Sequence, residues 1–249
     1  GKDGFAMKGV ILAGGTGTRL YPLTKWINKH LLPVGKYPMI CYAVQKLKEA
    51  GIDNLLIITG KQSWSMYGDV LGSGRAWGVR LTYKMQEEPG GIAQAVALAE
   101  GFVGPGEKFV TILGDNLFED SLLSYVRQYE TRPRGEAMVL LKQVRDPRRY
   151  GVPVLDGDNI LCIEEKPSVP RSNFCVTGIY MYDSDVFDAI RQIRPSHRGE
   201  LEITDVNNVY AVSGRLTYRI LNGWWVDAGT FESLREAGEK LQAEGSDPT

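Results

Sequence analysis

Apolar residues come in short, bounded runs along this chain, and the polar residues between them set what each run can become. Val10 to Ala13 is such a run, closed by glycines, and Leu55 to Thr59 repeats the type. Between them, Met39 to Ala50 spaces its apolar residues at helical intervals. Strand, helix and strand in that order make a βαβ unit, since parallel strands need a long crossover. The same order continues: Leu81 to Met85 predicts a strand, Ile92 to Glu100 a helix, Phe109 to Leu113 a buried strand and Leu122 to Tyr129 a helix. Alternation of this kind predicts an α/β fold, Rossmann-like and doubly wound, with a mostly parallel central sheet and helices on both faces. Ligands then gather beyond the carboxyl ends of the strands. Further on, Ala137 to Val144, Ile160 to Glu164, Thr177 to Tyr182 and Leu216 to Leu221 read as strands separated by turns and two helices, so the sheet is expected to become mixed in its C-terminal half.

Composition then narrows the partners. With 249 residues, 43% hydrophobic and 24% charged, the chain can hold one continuous core, and a single domain is expected over residues 7–242. Gly1 to Ala6 precede a possible start at Met7 and read as a leader or a remnant of expression, while Ala243 to Thr249 are expected to fray. Net charge is −1 with lysines and arginines spread along the chain, so nothing points to a nucleic-acid backbone or an anionic membrane. Any bound phosphate must be met locally. Cys41, Cys162 and Cys175 show no CxxC spacing and leave an odd thiol, a pattern that fits reduced core residues and a cytoplasmic location. No apolar run approaches the ~20 residues that span a bilayer.

Candidate chemistry falls where the fold would present it. Gly14-Gly15-Thr16-Gly17-Thr18-Arg19 follows the first strand, where glycine lets backbone amides approach an anion and arginine can neutralise a polyphosphate. The dinucleotide spelling fails because Leu20 stands where a glycine is needed, and the Walker spelling fails because the loop ends Gly17-Thr18-Arg19. A tight turn with a solvated arginine is the plainer alternative. Asp115 lies just past the strand Phe109 to Leu113, a place for a magnesium ligand, and Asp227 closes the aromatic run Trp224-Trp225-Val226. Taken singly, Asp115 could equally form a turn and Asp227 a helix cap. Glu165-Lys166-Pro167 ends another strand, where acid and lysine could meet a sugar and a phosphate or form an exposed ion pair. Gln86 can donate and accept through one amide, as reading a pyrimidine edge requires.

These pieces together resemble one family. Leu12-Ala13-Gly14-Gly15-x-Gly17-Thr18-Arg19-Leu20-x-Pro22-Leu23-Thr24 is similar to the signature of sugar nucleotidyltransferases. Lys29-x-Leu31-Leu32-Pro33, Gly91-Ile92-Ala93-Gln94-Ala95, Leu113-Gly114-Asp115-Asn116, Arg149-Tyr150-Gly151-Val152, Val176-Thr177-Gly178-Ile179-Tyr180 and Arg198-Gly199-Glu200-Leu201-Glu202-Ile203-Thr204-Asp205 resemble the bacterial glucose-1-phosphate thymidylyltransferases. The resemblance runs from Met7 to the helix after Thr230 and implies the nucleotide-diphospho-sugar transferase fold, in a short form without a C-terminal helical extension. It implies transfer of a nucleotidyl group from dTTP to glucose 1-phosphate, with Mg2+, by in-line attack on the α-phosphorus. The product, dTDP-glucose, would feed deoxysugar synthesis such as that of rhamnose for surface polysaccharide. UTP or another sugar 1-phosphate are alternative substrates, a non-catalytic sensor is an alternative role, and a homo-oligomer is expected. Matched residue by residue, Gly14, Gly15, Arg19, Lys29, Gln86, Gly91, Asp115 and Asn116 would bind the nucleotide. Gly151, Glu165, Lys166, Val176, Tyr180 and Arg198 would bind the sugar phosphate. Asp115 and Asp227 would hold the metal, and Arg19, Lys29 and Lys166 would carry the catalysis. Two departures stand beside these positions: His30, where longer relatives usually have glutamine, and Ala228, where they usually have threonine.

Overall fold

The computed structural model describes residues 7–245, so the leader expected at Gly1 to Ala6 lies outside the described residues, as do residues 246–249 of the tail. In chain order the strands and helices begin with β1 Lys8–Ala13, β2 Pro33–Val34, β3 Tyr37–Pro38, α1 Met39–Glu49, β4 Asn54–Gly60, α2 Trp64–Leu71 and β5 Arg80–Gln86. There follow α3 Ile92–Ala97, β6 Lys108–Leu113, β7 Asn116–Phe118, α4 Leu123–Glu130, β8 Ala137–Gln143, β9 Gly151–Asp156 and β10 Asn159–Glu165. The last are β11 Phe174–Asp183, α5 Val186–Gln192, α6 Ile203–Val212, β12 Leu216–Ile220, β13 Trp225–Asp227 and α7 Phe231–Glu244. Short 3-10 turns occur at Thr18–Leu20, Leu23–Lys25 and Lys29–Leu31, among others. The chain divides into two compact units, the first built from residues 8–89, 112–124 and 223 onward, the second from 90–111 and 125–222, with β6 divided between them.

In the first unit β1, β4 and β5 lie side by side and parallel, with Val10 opposite Leu56 and Leu56 opposite Thr82. β4 is buried along Leu55–Thr59, as a strand covered on both faces must be, while β5 alternates exposed and half-buried residues. α1 is the crossover expected between β1 and β4, and its Met39, Ile40, Val44 and Leu47 are inaccessible to solvent. Truncating a side chain as enclosed as Leu47 or Ile57 to alanine would cost roughly 2–5 kcal/mol. β7 pairs antiparallel with β13, and this small ladder leads into α7, whose start is capped by Thr230 and Ser233 bonding to each other's backbone amides. α7 runs to Glu244, two residues into the segment expected to fray.

The second unit is mixed, as expected for the C-terminal half. β11 and β8 are antiparallel, β12 and β8 parallel, and β10 antiparallel to both β12 and β9. β9 contains Pro153 and stands last in the strand order, the position where a residue without an N–H costs no ladder bond. α6 is fastened to β10 by Asn208, which accepts from the Ile163 amide at 2.7 Å and donates to the Ile163 carbonyl at 3.0 Å. These two bonds tie the strand to the helix two residues before the end of β10.

Candidate active site

The first unit collects polar residues at the carboxyl ends of β1 and β6. After Ala13 the glycine loop lies on the surface, with Gly15 at φ 96° and Gly17 at φ 63°, conformations that side chains resist. Thr24 donates its hydroxyl to the Gly17 carbonyl at 2.6 Å and closes the loop. The loop runs into the 3-10 turn Thr18–Leu20 rather than an α-helix, so its own amides, without a helix dipole, are what it can offer an anion. Leu20 is fully buried and anchors that turn, which aims Arg19 across Gly229. A β-carbon on Gly229 would lie 2.8 Å from Arg19 Nη2 and 4.0 Å from Asp115 Oδ2, so the guanidinium and the carboxylate both border this glycine. Gln86 is brought to the same loop, its Oε1 3.2 Å from where a β-carbon of Gly14 would stand.

Asp115 is the centre of this group. Lys29 Nζ donates to its Oδ2 at 3.0 Å, with the two side chains only 13% and 16% exposed. Asn116 donates its amide to Oδ1 at 3.1 Å and accepts from the Trp225 indole at 2.8 Å. Burial would raise the carboxyl's pKa, but the Lys29 ammonium and the hydrogen bonds from Lys29 and Asn116 outweigh it and hold it at about 2, so Asp115 is ionised throughout the physiological range. Asp227 arrives from β13, in register with Asn116, and Ala228 donates its amide to the Asp115 carbonyl at 2.8 Å. Asp115, just before β7, and Asp227, last in β13, therefore stand at the same end of this ladder. Hard oxygen donors suit a magnesium ion, and no group of three or more His, Cys, Asp or Glu among the described residues could hold a metal alone. Such a donor set fits an ion that keeps waters and takes substrate phosphates.

The two departures have distinct surroundings. His30 is buried at 3% exposure, and burial followed by the adjacent Lys29 charge pushes its pKa down to about 3, so the imidazole is neutral. Ala228 is wholly enclosed in an apolar cluster with Leu117, Val226 and Leu241.

In the second unit Gly151, Glu165, Lys166 and Arg198 form a separate group. Gly151 is in register with Glu165, whose Oε2 accepts from Thr204 at 2.6 Å. Lys166 has φ 46°, the one non-glycine residue with positive φ among those described, and it donates its amide to the Tyr150 carbonyl at 3.0 Å. This backbone reversal ends the strand alternation that would have sent Glu165 and Lys166 to opposite faces, and its strain marks a position worth inspecting for function. Glu202 is held ionised first by hydrogen bonds from Arg198, with Ser196 and the Lys166 charge adding to them. Arg198 grips Glu202 with both arms, at 2.7 and 3.0 Å, and also reaches Glu200 at 3.2 Å. Val176 and Tyr180 stand on β11, which packs on β9. Gly91, at φ 99°, starts α3, where a β-carbon would strike the Leu201 carbonyl at 2.5 Å. The nucleotide and metal residues other than Gly91 thus belong to the first unit, and Gly91 and all the expected sugar-phosphate residues to the second.

A nucleotidyl transferase family model matches residues 8–244. The chain belongs to the nucleotidyl transferase family. Among relatives of this nucleotidyltransferase, the glucose-1-phosphate thymidylyltransferase of Neisseria gonorrhoeae is 45% identical over 95% of this chain and 83% of its own. That of Mycobacterium tuberculosis is 40% identical over 94% and 81%. A crystal structure from Bacillus anthracis, assigned as a glucose-1-phosphate thymidylyltransferase and solved with a sucrose, is 53% identical with TM-score 0.90, covering 95% of this chain and 96% of that one. A UDP-glucose pyrophosphorylase complexed with UDP-glucose matches at 27% identity with TM-score 0.82, over 96% and 100%. Beside the expected site residues stand others to which reading the sequence gave no role. Gly229, Trp225 and Thr204 adjoin expected site residues; Trp225 lies in the aromatic run before Asp227, Gly229 in the small-residue turn after it and Thr204 in the motif from Arg198 to Asp205, signals that name a segment and not a role.

Proposed function

We propose that this nucleotidyltransferase joins dTTP to glucose 1-phosphate, giving dTDP-glucose and pyrophosphate. The observation that carries this reading is the Lys29–Asp115 ion pair, with Arg19 on the neighbouring Gly229, beside the glycine loop. Two cations beside an ionised carboxylate suit a reaction whose charge develops on phosphate oxygens. A phosphate oxygen of the sugar attacks the α-phosphorus of the triphosphate; a P–O bond forms there as the bond to the β-phosphate breaks, and pyrophosphate leaves with the electron pair. Arg19 and Lys29 bind the departing pyrophosphate, Gly14 and Gly15 the triphosphate, and Gln86 with Gly91 the base. Lys166 and Arg198 orient the sugar phosphate, and Gly151, Glu165, Val176 and Tyr180 line the sugar. Asp115 and Asp227 would hold Mg2+, which supplies further charge neutralisation on the triphosphate. Catalysis of this kind is mostly positioning and electrostatics, without a covalent enzyme intermediate.

A second reading keeps the chemistry with UTP, favoured by the likeness to the UDP-glucose pyrophosphorylase. Thymine differs from uracil by one methyl group, worth about 1 kcal/mol in an apolar pocket. The test is pyrophosphate release from glucose 1-phosphate and magnesium with dTTP, UTP, ATP, CTP and GTP side by side. Release strongest with dTTP is expected. Release strongest with UTP replaces the base assignment, and none with any nucleotide overturns the reading.

A further inference from the structure

Lys29 sits on one of the shortest elements in the chain, a single 3-10 turn over Lys29–Leu31. Such turns have poor hydrogen-bond geometry and do not hold a position by themselves. A lysine ammonium on a four-carbon stem adds its own rotamer freedom. Yet Lys29 Nζ lies 3.0 Å from Asp115 Oδ2, so something else must fix the turn.

Asn28 does so by a set of bonds concentrated on one amide. Its Oδ1 accepts from the His30 backbone amide at 3.0 Å and caps the turn. His30 Nδ1 lies 3.2 Å from the same oxygen, and the Tyr67 hydroxyl donates to it as well. Its Nδ2 donates to Ser63 Oγ at 3.0 Å. These partners set the amide's orientation, because a backbone N–H can meet only the oxygen end, and they assign the Nδ1–H tautomer to His30. Ser63 precedes α2 and Tyr67 lies within it, so the amide ties the turn to that helix. Tyr67 is fully buried and also lies 3.3 Å from the Ala13 carbonyl, at the end of β1.

His30 carries the same linkage to the other side of the site. A β-carbon on Gly114 would come within 2.8 Å of His30 Cδ2, so the imidazole rests against the residue that precedes Asp115. Gly114 is itself bonded to the Leu12 carbonyl at 2.9 Å. The turn is therefore held between α2 and the Gly114–Asp115 bend.

We propose that Asn28 is a positioning residue for the transfer reaction: with His30 and Tyr67 it sets the Lys29 turn so that the ammonium reaches Asp115 and the triphosphate. The inference rests on the function proposed above, since it concerns the use of Lys29 in that reaction. His30 then serves here as a spacer and hydrogen-bond donor, a role that accounts for an imidazole at this point in the chain.

The test is a double-mutant cycle of Asn28→Ala and Lys29→Ala, read by dTTP binding in calorimetry and by steady-state pyrophosphate release. Asn28→Ala should lower kcat and dTTP affinity by about 10-fold each, because a small misplacement of a charged group is costly, and leave KM for glucose 1-phosphate within about 2-fold. In the Lys29→Ala background the same change should alter dTTP affinity by less than about 2-fold, the non-additivity of residues acting through one group. Equal losses in both backgrounds, or losses shared by the KM for glucose 1-phosphate, would show a general structural role and overturn the proposal. Tyr67→Phe removes one hydroxyl and keeps the ring, so it serves if Asn28→Ala does not fold; it should give a smaller loss in the same pattern, and an additive loss counts against the proposal in the same way. Full turnover by Lys29→Ala alone would remove the assignment of Lys29 in the proposed function, a result distinct from additivity in the cycle.

Discussion

Gly229 has no side chain, and the Arg19 guanidinium occupies the space one would need. Its φ lies outside the positive range, so alanine is acceptable to the backbone and the clash falls on Arg19 alone. Gly229→Ala should therefore displace Arg19, with turnover falling about 10-fold or more, as for a charge-assisted contact worth roughly 1.5–3 kcal/mol, while thermal unfolding barely changes. Turnover at the parent level would detach Arg19 from the chemistry. Asp115 is the companion case. Asp115→Asn keeps the shape and removes the charge that Lys29 faces, and it should cost on the order of 3 kcal/mol of transition-state stabilisation, about 100-fold in kcat. Pyrophosphate release and a melting curve on the same preparation separate that loss from unfolding, and near-normal release would withdraw Asp115 from the site.

At the scale of elements, the end of β10 carries the clearest conflict between local preference and position. Lys166 at φ 46° pays for a conformation that glycine adopts freely. Lys166→Gly and Lys166→Ala both delete the ammonium and should both lose transfer activity, but the glycine variant should be the more stable of the two by about 1 kcal/mol. Equal denaturant midpoints would mean the backbone there is unstrained. Other strands follow directly from local sequence. The apolar runs at Val10 to Ala13, Leu55 to Thr59 and Phe109 to Leu113 became β1, β4 and β6 because a strand buried on both faces needs little but continuous apolar residues. α2 was missed: Gly68 interrupts it and Ser63 makes no side-chain cap, so its local signals are weak. β9 was missed because Pro153 argues against a strand until the strand is known to end the order. The expected helix from Ile92 stops at Ala97, where Glu100 bridges to Val103 instead. Asp115 was legible from its place just past an apolar strand, whereas Lys29, on a 3-10 turn, was marked only by the family resemblance. Their 3.0 Å contact joins residues 86 apart, and the Asn116–Trp225 bond spans 109, pairings that only the folded chain creates.

For the molecule as a whole, a net charge of −1 gives no long-range attraction for a triphosphate, so affinity must come from the few cations placed at strand ends. Binding should then register as global stabilisation. Saturation with dTTP and magnesium at about 100 times the dissociation constant contributes roughly 2.7 kcal/mol, which for a chain of this size raises Tm by about 5–10 °C. An unchanged Tm across the five nucleotides would mean that none of them binds the folded protein. The indole of Trp225 gives the same event an optical form. Its N–H ends a line of bonds through Asn116 to the Asp115 carboxylate, so any cation or phosphate that redistributes charge at Asp115 changes the field along that ring. The protein's own fluorescence thus becomes a gauge of occupancy: dTTP with magnesium should shift the emission maximum, and Trp225→Phe should abolish the shift while the remaining tryptophans still emit. A shift that survives in Trp225→Phe would place the reporter elsewhere.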